Sequence, residues 1–365
     1  MIYVSVTYDY SPGFDKAENW FHRTRAYTGI LQCLGEAETV ISIKEIDVEG
    51  TITHRNVQHE FVSFGKKKSW FPFKRNRFIK SLNPDVVLLQ GLLYPLQFLQ
   101  LRLLLNRRVR IIAQHHAEKP FNGIKKWVQR LADHYIDAYL FASHALGMTW
   151  VTNGNISSAQ KLHEVMEVSS IFYPVDRLLA QAKTGAKGQP VFLWVGRLNA
   201  NKDPLNVVKA FLKFIQIQPG AKLYMIYHTD ELLEEIKALL KDHHQKEAII
   251  LVGQVPHDDL LYWYNSADFI VSGSHYEGSG TAICEAMSCG CIPVVTDIAS
   301  FRMITDNGNC GILYEAGNET AMLAALIAGM QLNRQEKRVL CLNYFKTNLS
   351  FEAIAGRIRT VAASL

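Results

Sequence analysis

Short apolar runs alternate with amphipathic stretches along the whole chain. In the first half, two stretches repeat apolar residues at helical spacing, Trp20–Leu34 and Ile124–Tyr135. Six apolar runs have the length and composition of buried strands: Ile2–Thr7, Val40–Ile43, Val86–Gln90, Arg110–Ala113, Tyr139–Ala142 and Ser169–Phe172. Strands that alternate with helices predict a parallel sheet covered on both faces.

The second half repeats this rhythm after an interruption at 177–190, a segment rich in glycine, alanine and lysine that we interpret as a linker. The pattern then predicts strands at Val191–Val195, Lys222–Tyr227, Ile249–Val252, Phe269–Val271, Ile292–Val295 and Gly311–Tyr314. It predicts helices at Pro204–Ile217, Glu231–Leu240, Leu260–Tyr264 and Phe351–Val361. We therefore expect two doubly wound α/β domains, 1–176 and 191–345, that face a central cleft. The last segment, 346–365, is expected to pack back on the first domain.

One stretch, 272–295, combines a strand end, a glycine-broken loop, a short helix and a second buried strand. Glu277 lies in the loop, and Glu285 lies eight residues later in the helix. Between them Gly278, Ser279, Gly280 and Thr281 are small residues that leave the amides of a helix N-terminus open to a ligand. Such a loop can hold a phosphate on its amides and sugar hydroxyls on its carboxylates.

A second polar loop follows the first strand of the second half, with Arg197 and Lys202 before Pro204. A planar guanidinium and a compact ammonium together suit a diphosphate, and they would stabilise charge on a phosphate leaving group. An ordinary basic loop before a helix start is the alternative for these two residues alone. Their combination with the two-glutamate stretch favours a functional site.

Together, Gly196-Arg-Leu…Lys202 and Glu277-Gly-Ser-Gly…Glu285-Ala-Met-Ser-Cys-Gly…Pro-Val-Val resemble the retaining glycosyltransferases of family 4. The resemblance covers the whole second half and implies the GT-B fold, with two Rossmann-like domains, and a nucleotide-sugar donor. By matching positions, Glu285 would bind the ribose, Glu277 the donor hexose, and Arg197 and Lys202 the diphosphate. The amides of 278–281 would contact sugar and phosphate.

The resemblance implies further contacts at the ends of other strands. The base would lie near Gln254 and Val255. A histidine after the strand Arg110–Ala113 would touch the donor sugar, and we assign this role to His116 rather than to the adjacent His115. Gly13, in the loop after the first strand, would lie on the acceptor side. A lone histidine at a strand end is more often structural, which is the alternative for His116.

No metal or other cofactor is expected. The chain contains no Asp-x-Asp sequence, on which sugar-nucleotide enzymes that use a divalent cation usually rely. The charge of the diphosphate would then be met by Arg197, Lys202 and helix amides.

The net charge of +5 is unevenly distributed. Residues 1–176 hold 21 Lys or Arg and 16 Asp or Glu, a surplus of five, whereas residues 177–365 hold 18 of each. Six basic residues and four aromatic residues lie within 65–78 without an acid. Such a segment suits an anionic membrane surface, where lipid-linked acceptors reside, and a solvated loop with packed aromatics is the equal alternative. Nucleic acid is not an expected partner, because no recognised nucleic-acid-binding fold accompanies the basic segment.

The sequence also bears on location. No apolar stretch is long enough to span a bilayer, no signal peptide is visible, and the six cysteines lack paired metal-ligand spacing. We expect a cytoplasmic protein, with contact to the inner face of the membrane through 66–78 as one alternative.

Together with these observations, the resemblance implies an enzyme that moves a hexose from a UDP- or GDP-sugar to a hydroxyl acceptor with retention of configuration. A polysaccharide, lipopolysaccharide or lipid-linked glycan is the expected acceptor. Two other functions are consistent with the same residues: a GT-B sugar-nucleotide epimerase, and a non-catalytic nucleotide-sugar-binding subunit.

Overall fold

The structure is a computed structural model that describes residues 1–65, 71–241 and 243–365. The chain forms two compact units: Met1–Ser169 with Ser350–Leu365, and Ser170–Leu349. Across these described ranges, no helix combines the length and apolar character needed to cross a membrane.

The first unit is built on an eight-stranded sheet in the order β3-β4-β2-β1-β5-β6-β7-β8. All neighbouring strands are parallel except β3 and β4, which pair antiparallel. The strand order reverses between β1 and β5, which is where open α/β sheets bind ligands. The strands are β1 Ile2–Tyr10, β2 Thr39–Glu45, β3 Gly50–His54, β4 Val57–Phe61, β5 Val86–Gln90, β6 Arg110–Gln114, β7 Ala138–Phe141 and β8 Leu162–Glu164.

Seven helices among the described residues cover this sheet. They are α1 Ala17–Arg23, α2 Arg25–Leu34, α3 Phe73–Ser81, α4 Pro95–Leu104, α5 Gly123–Asp133, α6 His144–Thr152 and the C-terminal α15 Phe351–Ser364. Helix α15 packs against α2, where Gly29 leaves room for the ring of Phe351. A Cβ atom at residue 29 would lie 2.5 Å from that ring, so a larger residue here would push the two helices apart.

The second unit is built on a six-stranded sheet in the order β11-β10-β9-β12-β13-β14, in which all neighbours are parallel. This is the doubly wound order, with a reversal between β9 and β12. The strands are β9 Val191–Gly196, β10 Lys222–Tyr227, β11 Ile249–Gly253, β12 Phe269–Ser272, β13 Ile292–Thr296 and β14 Ile312–Tyr314. The ring of Phe192 on β9 stacks on Phe269 of β12 at 4.9 Å, which places the aromatic core directly beneath the reversal.

The helices of the second unit are α7 Arg177–Thr184, α8 Pro204–Ile217, α9 Leu233–Lys241, α10 Leu260–Ser266, α11 Thr281–Ser288, α12 Ala299–Ile304, α13 Glu319–Met330 and α14 Arg334–Tyr344. Helix α7 lies within the segment predicted to be a linker. It forms because Asp176 caps its N-terminus through the amide of Leu179, at 2.9 Å, and Gly185 ends it with φ of 70°. Ala180 is buried where α7 packs against α10, so this segment is part of the second unit.

Three other features differ from the pattern-based prediction. Ser169–Phe172 is not a strand, because the Ser170 hydroxyl accepts a hydrogen bond from the amide of Phe172 and thereby competes with a strand ladder. The predicted helix Trp20–Leu34 is interrupted at Thr24, whose φ and ψ of −104° and 13° leave the helical region. The β3–β4 hairpin and several helices, such as α13 and α14, were not predicted.

Candidate functional site

Two polar loops of the second unit meet at the point where its strand order reverses. Lys202 follows β9, and Glu277 follows β12, its neighbour in the sheet. Because parallel strands end at the same edge of a sheet, both loops emerge side by side. The sequence placed both residues at strand ends, and the sheet order makes those ends adjacent.

Backbone contacts hold the two loops together. Gly273 lies so close to the Lys202 loop that a Cβ atom there would be 3.2 Å from the Lys202 carbonyl oxygen. The amide of His275 donates to the carbonyl of Asn201 at 2.8 Å, and the side-chain amide of Asn201 donates to the carbonyl of Tyr276 at 3.0 Å. These contacts fix the position of the Glu277 backbone relative to Lys202.

Lys202 and Glu277 form a direct ion pair, in which the Lys202 ammonium donates to Oε1 of Glu277. Their side chains are 26% and 14% exposed, so both charges lie in a partly desolvated recess that solvent still reaches. A partly desolvated cation attracts phosphate more strongly than an exposed one, and the carboxylate beside it can accept hydroxyl groups. The site therefore offers one cationic and one anionic contact to a phosphorylated sugar.

Helix α11 begins at Thr281, four residues after Glu277. Gly280 takes φ of 57°, and a Cβ atom there would lie 2.8 Å from the Phe301 ring, so glycine is required at this position. Gly278 and Ser279 are buried, and Thr281 opens the helix. The first-turn amides of a helix lack partners within the helix, which makes this N-terminus suited to phosphate oxygens.

Glu285 projects from α11 into a buried polar contact that sequence reasoning missed. Tyr264 donates its hydroxyl to Oε2 of Glu285 at 2.9 Å, and Nε2 of His257 lies 3.0 Å from Oε1. Glu285 is only 4% exposed. The protein itself therefore supplies one partner for each carboxylate oxygen of Glu285.

The Tyr264–Glu285 contact explains how a carboxylate is tolerated in this core. Burial, together with the neighbouring carboxylate, raises the pKa of the Tyr264 hydroxyl well above its usual value, so the hydroxyl remains a proton donor. A carboxylate oxygen can accept more than one hydrogen bond, so Glu285 keeps acceptor capacity for a ligand hydroxyl. Tyr264 could have been suspected from sequence only as an aromatic residue on the adjacent helix.

Removing this hydroxyl tests the contact. We expect Tyr264→Phe to lower the free energy of unfolding by about 1–3 kcal/mol, because one oxygen of a buried carboxylate loses its donor. Urea titration monitored by circular dichroism measures this change. Tyr262→Phe on the same helix is the matched control, with almost no change expected because Tyr262 is only partly buried. Equal unfolding free energies for wild type and Tyr264→Phe would contradict the assigned contact.

The predicted base-binding segment lies beside Glu285. Gln254 is exposed and Val255 partly exposed after β11, and His257 follows them within the same short turn. Because the His257 ring reaches Glu285, the turn that carries Gln254 and Val255 is held next to the predicted ribose carboxylate. Arg197, by contrast, is exposed at the end of β9, and its side chain has no hydrogen bond or ion pair within the described part of the chain.

His116 belongs to the first unit, where it faces a cavity of about 350 Å³. Its Nδ1 lies 2.5 Å from Oε2 of Glu167, and its Nε2 lies 2.9 Å from Oε1 of Gln90. His115 is instead buried against Phe141, with Nε2 at 2.8 Å from the Glu118 carbonyl, and burial lowers its pKa. The neighbours of His116 were not predicted, because they come from distant parts of the chain: Gln90 ends β5, and Glu167 follows β8.

The cavity lies at the strand reversal of the first unit and carries several charged or polar groups: Asp9, Lys44, Gln90, His116, Glu118 and Glu167. Burial lowers the pKa of Lys44 to about 8, and Asp9 opposes that shift. Lys44 therefore stays mostly protonated at pH 7. Gly13 lies outside this lining, exposed in the loop after β1, where its amide donates to Asp47 at 2.6 Å.

The basic segment 66–78 falls partly outside the described residues, since 66–70 are not described. Its remainder is not a loop, because α3 begins at Phe73. Arg75 is 5% exposed and forms an ion pair with Glu45, so this cation is unavailable to a surface partner. Phe71 and Phe73 are exposed, with stacked rings 6.0 Å apart.

Comparison with known proteins agrees with this geometry. Residues 176–344, nearly the whole second unit, match the family model described as glycosyl transferases group 1. The second unit is therefore similar to a glycosyl transferases group 1 domain. The two-glutamate stretch and the Lys202 loop both lie inside the matched range.

Two curated relatives each align with part of this chain. D-inositol 3-phosphate glycosyltransferase of Acidothermus cellulolyticus is 27% identical over 173 residues, which are 44% of this chain and 37% of the relative. Poly(glycerol-phosphate) alpha-glucosyltransferase of Bacillus subtilis is 33% identical over 140 residues, 38% of this chain and 20% of the relative. The chain thus spans well under half the length of these curated relatives.

A solved structure extends the likeness to both units. Anabaena HepE in complex with UDP aligns over 100% of both chains with a TM-score of 0.75 and 13% sequence identity. The predicted α/β fold of two Rossmann-like domains is confirmed, and the structural neighbours are GT-B glycosyltransferases.

Proposed function

We propose that this protein transfers a hexose from a nucleotide-diphosphate sugar to a hydroxyl acceptor with retention of configuration. The observation that carries the proposal is the Lys202–Glu277 pair beside the start of α11, at the strand reversal of a unit similar to a group 1 domain. In this proposal the ammonium and the helix amides bind a phosphate, and the carboxylate binds the hydroxyl groups of a sugar. HepE, a structural neighbour, is described as a complex with UDP, which supports a nucleotide sugar as donor.

The proposed roles follow the order of groups along the site. Glu285, next to the turn that carries Gln254 and Val255, binds the ribose hydroxyls, with the base beside that turn. Lys202, exposed Arg197 and the amides of 278–281 take the diphosphate, because they supply two positive charges and a helix N-terminus. Glu277 binds the hexose. His116 is proposed as a further contact to the donor sugar.

The proposed reaction needs no protein nucleophile. The acceptor hydroxyl attacks the anomeric carbon on the face from which the diphosphate departs, and the departing phosphate oxygen takes the acceptor proton. The protein orients both substrates and stabilises the negative charge that grows on the leaving diphosphate. We propose the polar cavity of the first unit as the acceptor side, because its carboxylates and amides can bind the hydroxyl groups of a glycan.

A donor panel tests the proposal directly. Purified protein is incubated with UDP- and GDP-sugars, with and without glycan acceptors, while nucleoside diphosphate release and the donor itself are followed. We expect diphosphate release that depends on the acceptor, and a product with the donor's anomeric configuration. Conversion of the donor without an acceptor would point to an epimerase, and donor binding without any turnover would point to a non-catalytic subunit.

In the proposed reaction, groups of the protein alone neutralise the negative charge of the diphosphate, without a metal ion. Within the described residues, no group of three or more His, Cys, Asp or Glu side chains is arranged to hold a metal ion. Because Lys202, Arg197 and the amides of 278–281 are proposed to meet this charge, we expect EDTA to leave the initial rate unchanged, and added Mg²⁺ or Mn²⁺ to have no effect on the EDTA-treated enzyme. A rate that falls with EDTA and returns with a divalent cation would contradict this expectation.

We also propose that the segment 66–78 contacts the inner face of the cell membrane. This proposal rests on the exposed Phe71 and Phe73 rings and on the basic residues of the segment.

A further inference from the structure

Helix α5 of the first unit exposes its largest apolar side chains. Ile124, Trp127 and Leu131 are 84%, 68% and 57% exposed, and Tyr135, just past the helix, is 44% exposed. These residues are spaced by three, four and four positions, so they lie along one face of the helix. A single exposed apolar residue is ordinary, but a row of four on one helix face marks an interaction surface.

The opposite face of α5 buries polar side chains. Gln129 and Asp133 are both fully buried against the unit, together with Ala132. Gln129 donates to the Tyr139 hydroxyl at 3.1 Å, and Asp133 accepts from the amide of Ser157 at 3.0 Å. The helix therefore directs polar residues inward and apolar residues outward, the reverse of a helix that only covers a sheet.

The exposed charges on α5 itself are all positive. Lys125 and Arg130 are exposed and Lys126 is partly exposed, whereas the one acid of the helix, Asp133, is buried and paired with Lys161. Lysine is depleted at the centre of protein–protein interfaces, so an apolar row lined by lysine fits such an interface poorly. The same combination fits an anionic bilayer, where lysine and arginine bind headgroups and tryptophan lies at the interface.

We propose that this α5 face, formed by Ile124, Trp127, Leu131 and Tyr135, docks on the surface of an anionic phospholipid bilayer. The helix lies along the interface, with its apolar row among the upper acyl chains and its cations at the headgroups. This inference does not depend on the proposed transfer reaction. It also differs from docking through 66–78, because α5 alone supplies the apolar row and the flanking cations.

Vesicle sedimentation tests the proposal with the full chain. The probes are vesicles of phosphatidylcholine alone and of phosphatidylcholine mixed with phosphatidylglycerol. We expect wild type to bind the anionic vesicles, and Ile124→Ser/Trp127→Ser/Leu131→Ser to lower the partition coefficient about tenfold or more. Lys126→Glu/Arg130→Glu should also lower binding, and added salt should weaken wild-type binding.

Two matched variants locate the surface. Leu178→Ser/Leu179→Ser removes equally exposed apolar residues from α7 of the second unit, and it should bind as wild type does. Phe71→Ser/Phe73→Ser should keep most of the binding if α5 is the docking face. Thermal melting checks that each variant is folded. Since the replaced side chains are exposed, apart from the partly exposed Lys126, we expect melting temperatures close to wild type.

Three results would overturn the proposal. The first is unchanged vesicle binding by the α5 triple variant. The second is loss of binding in Phe71→Ser/Phe73→Ser alone. The third is self-association of wild type in sedimentation velocity, abolished by the α5 triple variant, without vesicle binding, which would make this face an interface between two copies of the chain.

Discussion

Replacing Glu277 by Gln is expected to lower the turnover number by about 100- to 1000-fold, the loss typical when a preorganised polar contact is removed from a reaction centre. The variant keeps the shape of the side chain but loses the charge that faces Lys202. Affinity for a nucleoside diphosphate, which lacks the hexose, should be retained. Steady-state kinetics with the donor found in the panel, and calorimetry with its diphosphate, measure the two quantities.

A matched variant separates the role of Glu277 from a general effect of charge. Glu235→Gln on α9 removes an exposed carboxylate from the same unit and should leave turnover unchanged. Turnover by Glu277→Gln at the wild-type rate would refute the role of Glu277 in the reaction. Loss of diphosphate binding together with turnover would place Glu277 at the phosphates instead of the hexose.

Replacing Lys202 by Ala is expected to weaken binding of the nucleotide sugar and of the free nucleoside diphosphate alike, by about 10- to 100-fold. The loss corresponds to the roughly 1.5–3 kcal/mol of one charge-assisted hydrogen bond. The change also leaves the Glu277 carboxylate without its cation beside the phosphate position, which adds repulsion. Isothermal titration calorimetry at fixed ionic strength measures both affinities.

Lys209→Ala, an exposed lysine on α8, is the control for the loss of one positive charge. It should bind both ligands as wild type does. Equal diphosphate affinity for wild type and Lys202→Ala would exclude a contact between Lys202 and the phosphates. A loss confined to the nucleotide sugar would move the Lys202 contact to the hexose.

Much of the fold was predictable because the strands of both units are buried and bounded by turns. The predicted β5, α8 and β10 agree with the structure to the residue: Val86–Gln90, Pro204–Ile217 and Lys222–Tyr227. Strands β5 and β10 are nearly unbroken apolar runs bounded by turn residues, and α8 repeats apolar residues at helical spacing after an initial proline. Prediction was poor for the β3–β4 hairpin, whose outer strand is mostly exposed and has a weak apolar pattern.

The candidate site was predictable in its residues but not in its contacts. Glu277 and Lys202 could be singled out because a glycine-broken loop and a basic loop each follow a buried strand. Their ion pair forms because β9 and β12 are neighbours in the sheet, which brings together two residues 75 positions apart in the chain. The Tyr264 hydroxyl on Glu285 depends in the same way on how α10 packs near α11.

The sequence by itself determined the α/β class, the positions of most strands and the two polar loops, because local periodicity and turn residues encode them. Tertiary structure alone decided which residues meet: Lys202 with Glu277, Tyr264 and His257 with Glu285, and Glu167 with His116. It also decided that α5 turns its apolar face outward. Periodicity shows that a helix has two faces, but only packing against distant residues such as Tyr139 and Lys161 selects the face that is buried.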